Sequence, residues 1–248
     1  MHTQSANQSM KDDAVSQLNT APQLLLHHAR VRGDQTAMRE KEYGIWQSWS
    51  WSEMKDEILA LANGLASIGF KRGDKLGIIG ANRPQLYWGM CAAQCLGGVP
   101  VPLYKDMVAE ELQYVLEHAG VHLVLAEDQE QVDKVLEVQP DCPALTQIIY
   151  DDERGMRDYD HKSLFSIKML QQAGHKFAAE KPDFLQAQID QNQGEDVGIF
   201  LYTSGTTGKP KGVVLSHANI IVTARNTVNH DQLNDKEETL SYLPLAWV

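Results

Sequence analysis

Residues 76–126 read LGIIGANRPQLYWGMCAAQCLGGVPVPLYKDMVAEELQYVLEHAGVHLVLA, and the punctuation of this stretch decides the fold. Leu76 to Ile79 is a short apolar run entered from the turn residues Gly73-Asp74. Asn82 and Pro84 suit the cap and first turn of a helix, which is predicted to reach about Leu96. Val99–Leu103 reads as a strand, Val108–Ala119 as a helix stopped by Gly120, and Val121–Ala126 as a strand again. Strand, helix, strand, helix, strand is the rhythm of a parallel sheet with crossover helices, so the expected class is α/β with layered parallel-sheet subdomains.

Upstream, Ser50-Trp51-Ser52-Glu53 has the form of a capping box, in which serine accepts from a free backbone N–H and glutamate reaches back. The helix it opens should run to about Ile68, stop at Gly69 and turn Ile58, Leu61, Ala62, Leu65 and Ile68 to one apolar face. Residues 36–50 fit a hairpin around Tyr43-Gly44. Residues 1–19 are expected to be a disordered polar tail and 20–150 a first α/β subdomain. Residues 151–194 read as a connecting region, with a charged turn at 151–160 and a helix near 163–173. Residues 195–248 read as a strand, a loop and the start of a second α/β subdomain that breaks off at Val248, where Tyr242 to Val248 is read as an unpaired apolar strand. No internal repeat or low-complexity segment is visible.

The chain has 248 residues, is 43% hydrophobic and carries a formal net charge of -11. An acidic balance argues against sequence-independent nucleic-acid binding, which needs a positive surface to displace counterions from phosphates. The acidity is local: residues 104–160 hold fifteen acidic and four basic residues. Residues 203–225 hold Lys209, Lys211 and Arg225 and no acid, a place where an anion is welcome. Three cysteines, Cys91, Cys95 and Cys142, suit a reducing compartment and core packing better than a disulfide framework or a zinc site. With a polar N-terminus and no apolar run long enough for a membrane span, the expected location is cytoplasmic, with peripheral membrane contact allowed.

The apolar strand Val197–Tyr202 leads into Thr203-Ser204-Gly205-Thr206-Thr207-Gly208-Lys209-Pro210-Lys211-Gly212, followed by the apolar Val213, Val214 and Leu215. Three glycines let the backbone approach a ligand closely, four hydroxyls can donate to phosphate oxygens, and two lysines supply charge. A flexible linker would need neither two lysines nor flanking apolar strands. The Walker A template requires Gly-Lys followed by Ser or Thr and then a helix; here Lys209 is followed by Pro210 and Lys211 by Gly212, so that reading fails.

The string from Tyr202 to Val213 resembles the signature loop of the adenylate-forming enzymes, which include acyl-CoA synthetases, luciferases and nonribosomal peptide synthetase adenylation domains. Ser216-His217-Ala218-Asn219 is similar to the helix start that follows that loop. Val101–Tyr104, Glu110–Leu116 and Ser241–Ala246 are similar to long-chain fatty-acyl-CoA ligases. The resemblance spans about residues 20–248. It implies a two-step reaction: a fatty carboxylate attacks the α-phosphate of ATP to give an acyl-adenylate and pyrophosphate, and coenzyme A then displaces AMP. It implies that Thr203, Ser204, Gly205, Thr206, Thr207, Gly208, Lys209 and Lys211 bind the ATP phosphates, with Lys211 as the catalytic cation and Thr203 contributing to a Mg2+ site. An amino-acid-activating adenylation domain fits the Leu-Tyr and Tyr-Leu-Pro-Leu-Ala segments less well.

The sequence departs from the family pattern at Trp247, where many long-chain relatives have histidine on the acyl side of the site. The family's acidic magnesium motif, adenine-contacting segment, ribose-binding Asp, hinge and C-terminal domain are not found. The expectation is therefore an N-terminal part of an acyl-CoA synthetase, inactive by itself and lacking its C-terminal half. The alternative is a non-catalytic product that serves as a weak nucleotide-binding or assembly module.

Overall fold

A computed structural model describes residues 17–159, 162–203 and 209–247. Most of the tail expected over 1–19 lies outside the described residues. Helix α1 (Ala21–Val31) starts at Thr20, whose side chain accepts from the Gln23 N–H. Strands β1 (Thr36–Glu42) and β2 (Ile45–Ser50) form the expected hairpin. Tyr43 (φ 47°) and Gly44 (φ 81°) both take the left-handed backbone that a tight two-residue turn requires. Helix α2 (Trp51–Ser67) opens with the expected capping box: Glu53 N–H donates to Ser50 Oγ at 3.2 Å, and Ser50 N–H donates to Glu53 Oε2 at 2.8 Å.

β3 (Lys75–Ile79), α3 (Pro84–Cys95), β4 (Val99–Leu103), α4 (Ala109–Ala119), β5 (Val121–Ala126), α5 (Gln129–Val138) and β6 (Gln147–Tyr150) follow in strict alternation. With β7 (Leu164–Ser166) the strands form a five-stranded, wholly parallel sheet in the order β4-β3-β5-β6-β7. One expectation is corrected: the cap of α3 is Arg83, not Asn82. The Asn82 amide is drawn away to the carbonyls of Ser241 (3.0 Å) and Leu243 (2.7 Å), while Pro84 takes the first turn as anticipated.

The helix expected near 163–173 is shifted. Leu164–Ser166 instead extends the sheet, because Ile148 and Ile149 offer it an open edge, and α6 (Ile167–Glu180) starts where Ser166 accepts from the Met169 N–H. Helix α7 (Phe184–Asp190) follows.

The sheet separates two apolar cores. On one face Leu76, Ile78, Leu123, Leu125 and Ile149 pack with Leu61 and Leu65 of α2, Leu86 of α3 and Leu170 of α6. On the other, Ile79, Val101, Leu103, Val124 and Ile148 pack with Leu112, Val115 and Leu116 of α4 and Val132 and Val135 of α5. These side chains alternate along the strands because consecutive residues of a strand point to opposite faces.

Strands β8 (Val197–Thr203) and β9 (Lys211–Ser216) form a separate antiparallel hairpin, followed by α8 (His217–Asp231). β8 lies beside β4 and buries Tyr202 in the second core. A buried polar relay fastens it: Gln94 on α3 donates to the Gly198 carbonyl at 2.8 Å, and Asn192 donates to the Gln94 carbonyl at 2.8 Å. The strand expected over Tyr242–Val248 is not formed. Residues 244–247 turn, with Trp247 N–H bonded to the Pro244 carbonyl at 2.8 Å, and Leu245 and Ala246 are buried; Val248 lies outside the described residues.

Candidate functional site

The antiparallel register places Thr203 opposite Lys211 and Tyr202 opposite Gly212 at the mouth of the β8–β9 hairpin. Thr203, Lys209 and Lys211 are all exposed. Ser204, Gly205, Thr206, Thr207 and Gly208, the rest of the loop, lie outside the described residues. What the hairpin brings together is thus one hydroxyl and two lysines on a stretch without a carboxylate, an arrangement suited to an anion.

Gly212 has a steric reason as well as a sequence one. A Cβ placed there would stand 2.4 Å from the Phe200 ring, which lies across the strand. Phe200 stacks on Tyr202 with centroids 5.1 Å apart, and Tyr202 Oη shares a 2.6 Å hydrogen bond with Nδ1 of His118. Burial, with a smaller contribution from the neighbouring Tyr114, pushes the Tyr202 phenol up to about 12, so it stays neutral. The Lys209 ammonium lies 5.0 Å from the centroid of the Tyr114 ring. Below the hairpin, Ser216 and Asn219 form a second capping box, which fixes the start of α8. The buried His217 beside it is held below its ordinary value by burial, partly opposed by Asp196.

A cavity of about 170 Å³ opens against this hairpin, lined by Tyr104, Leu201, Tyr202, Thr203, Val213, Leu215, Ala246 and Trp247. Trp247, singled out from sequence for its position on the acyl side, therefore shares a cavity with Thr203.

A larger cavity, about 460 Å³, lies at the C-terminal ends of β3, β5 and β6 and shares no lining residue with the first. Ligands of open α/β sheets commonly sit at such a point, where β4 and β5 leave β3 on opposite sides. Here, however, Arg83 occupies it, donating to Glu127 Oε1 at 2.9 Å and Glu40 Oε1 at 2.6 Å. The charges of Arg83 are thereby matched within the chain, whereas the lysines of the hairpin face solvent.

Among the described residues, no group of three or more His, Cys, Asp or Glu side chains is placed to hold a metal ion. Cys91 and Cys95 lie on one face of α3. The fully buried Cys95 thiol, hydrogen-bonded to Cys91, is raised well above its ordinary value, as befits a packing residue.

The family model described as AMP-binding enzyme matches residues 25–248. The chain belongs to the AMP-binding enzyme family. Among its relatives, the long-chain-fatty-acid–CoA ligase ACSBG2 of Xenopus laevis is 31% identical over 246 residues, covering 96% of this chain and 32% of its own length. The long-chain-fatty-acid–CoA ligase FadD15 of Mycobacterium bovis is 28% identical over 238 residues, covering 94% of this chain and 38% of its own. The chain thus spans about a third of the length of these family members.

Solved structures agree at the level of fold. Acetoacetyl-CoA synthetase from Streptomyces lividans superposes with a TM-score of 0.75 at 20% identity, over 92% of this chain and 35% of its own. The fatty acyl-adenylate ligase from L. pneumophila, solved with acyl adenylate and pyrophosphate, gives 0.70 at 16% identity, over 93% and 36%. The α/β architecture is that of the N-terminal regions of adenylate-forming ligases.

The glycine-rich string could be read from the sequence, but the contacts that reach the strand and the lysine on either side of it could not. Tyr114 and His118 stand four apart on α4, a spacing visible in the sequence, yet nothing there indicates that their partners are Lys209 and Tyr202. Gln94 likewise carried no signal, because its role depends on Gly198 lying across the domain.

Proposed function

We propose that this chain is the N-terminal part of an ATP-dependent acyl-CoA synthetase that activates a long-chain fatty acid through an acyl-adenylate and passes the acyl group to coenzyme A. The observation that carries the reading is the pairing of Thr203 with Lys211 across the mouth of the hairpin, at the two ends of the glycine-rich loop. The relatives named as long-chain-fatty-acid–CoA ligases support the substrate class.

As the carboxylate attacks the α-phosphate, charge accumulates on the departing pyrophosphate. Fixed donors aimed at that charge lower the barrier because they need no reorganisation as it forms. In this reading Lys211 supplies the main cation and Lys209 a second. The hydroxyls of Thr203, Ser204, Thr206 and Thr207 and the backbone N–H groups around Gly205 and Gly208 cradle the phosphates. The Thr203 hydroxyl would be this chain's contribution to a Mg2+ site, and the ion would supply positive charge against the phosphates. Trp247 narrows the neighbouring cavity on its acyl side. The site of action is proposed to be cytoplasmic, in line with three free cysteines. No helix among the described residues is long and apolar enough to cross a membrane, and a fatty substrate is compatible with peripheral membrane contact.

The test is ATP–pyrophosphate exchange with a panel of fatty acids, run on the 248-residue chain and on a version extended by the C-terminal part of the relatives. Exchange confined to the extended protein and dependent on a long-chain acid is the expected result. Exchange by neither protein with any acid would sink the proposal.

A further inference from the structure

Thr203 and Lys209 are the described residues on either side of 204–208, and Lys209 and Tyr202, the neighbour of Thr203, are both tied to one helix. On the last two turns of α4, Tyr114 and His118 stack with centroids 5.5 Å apart and planes 29° from parallel. His118 then meets Tyr202, ring edge to face at 5.7 Å and through the 2.6 Å hydrogen bond. Tyr114 meets the Lys209 ammonium. Phe200, Tyr202, His118, Tyr114 and Lys209 thus form a continuous column that leaves the hairpin, passes through α4 and returns to the far end of the same loop.

Packing alone does not account for this column. Tyr202 is 2% exposed, and among the described residues the partner of its hydroxyl is His118. Lys209 is exposed, so its place over a ring does nothing for the core. A cation over an aromatic face is attracted by the ring quadrupole while its N–H groups on the other side remain free for an anion. Helix α4 is itself anchored in the core, with Leu112, Val115 and Leu116 buried against the sheet.

We propose that Tyr114 and His118 are positioning residues for the loop: His118 fixes its β8 edge through Tyr202, and Tyr114 holds Lys209 at its other edge. Thr203, Lys209 and Lys211 are thereby presented to a polyphosphate at one spacing. The proposal rests on the reading of the loop as a phosphate site, and donors fixed in advance are what such a site requires.

Hydrogen exchange by NMR on the 248-residue chain separates this from simple packing. His118→Leu and Tyr202→Phe are each expected to speed exchange of the β8 and β9 amides about five- to tenfold, the factor that one net hydrogen bond represents. The double variant should go no further, because both changes remove the same bond, and His118→Gln should restore most of the protection. Exchange in β3 and β5 should stay as it was. Tyr114→Leu should move the Lys209 methylene resonances by removing the ring, whereas Tyr114→Phe should leave them in place.

Unchanged β8 and β9 exchange in His118→Leu, equal acceleration in β3 and β5, additive effects in the double variant, or Lys209 resonances indifferent to Tyr114→Leu would each overturn the anchoring. Titration with inorganic tripolyphosphate then tests its purpose. Binding by the unaltered chain that weakens about tenfold in His118→Leu supports the proposal, on the scale of one lost hydrogen bond to a charged group. Equal binding by both refutes the positioning role. If the unaltered chain does not bind, the phosphate reading falls and the purpose falls with it, while the exchange data still decide the anchoring.

Discussion

Thr203 and Lys211 face each other across the last pair of the β8–β9 ladder, so a residue that carries a hydroxyl and one that carries an ammonium, eight positions apart in sequence, are paired at one end of a hairpin. Lys211 is exposed and takes no part in either core. In the extended enzyme, Lys211→Ala should slow adenylation about a hundredfold to a thousandfold, the effect of losing one preorganised donor to a developing anion. Unfolding of the variant should match that of the parent. Pyrophosphate exchange is the measurement, and an unchanged rate would remove Lys211 from the mechanism. Thr203→Val should lower the rate less and shift its magnesium dependence.

Gly212 pairs with Tyr202, and the Phe200 ring covers the place where its side chain would be. Gly212→Ala is expected to destabilise the hairpin by about 1–3 kcal/mol, the usual cost of overpacking. Combining it with Phe200→Leu should recover part of the loss, since the smaller side chain vacates the space. Denaturant unfolding of the two single variants and the double checks this, and simple additivity would contradict the steric account.

Where α6 crosses α2, Gly174 and Gly64 bring the two backbones together. A Cβ on Gly174 would stand 2.0 Å from the Ala60 carbonyl oxygen, and one on Gly64 would stand 2.3 Å from that of Leu170. Backbone cannot swing aside as a side chain can, so Gly174→Val should separate the helices. A loss at or beyond the upper end of the same 1–3 kcal/mol range is expected, with a lowered midpoint in denaturant.

Burial pushes the Asp151 carboxyl up to about 7, against the opposing pull of Arg83 and with help from Asp152, Glu40 and Glu127. A carboxyl whose folded value exceeds its unfolded one stabilises the folded state most while protonated. That contribution is fully present below about 3.8 and is lost as pH rises through about 7. Unfolding free energy should therefore fall between these values, with a slope from this group no steeper than about 1.4 kcal/mol per pH unit. Asp151→Asn should flatten that portion of the profile and be the more stable form at pH 8. A profile of unchanged slope would show that Asp151 is not responsible.

The sequence by itself determined the elements whose chemistry is local. Ser50 and Glu53 close their capping box within one turn, Tyr43-Gly44 reverses the chain by itself, Gly120 ends its helix in the left-handed conformation, and strands such as Val99–Leu103 are written as unbroken apolar runs. The loop was legible for the same reason, since its glycines, hydroxyls and lysines are contiguous. Tertiary structure decided whatever depends on a partner far along the chain. Asn82 has the right chemistry for a cap but bonds to Ser241 and Leu243 instead, and Leu164–Ser166 becomes a strand because β6 leaves an edge open. Gly174 matters only because α6 meets α2, and His118 only because β8 carries Tyr202 to it. Hydrogen bonds and van der Waals contacts act over a few ångströms. Sequence displays them where the chain meets itself within a turn or two, and the fold supplies the rest by bringing distant residues to the same distances.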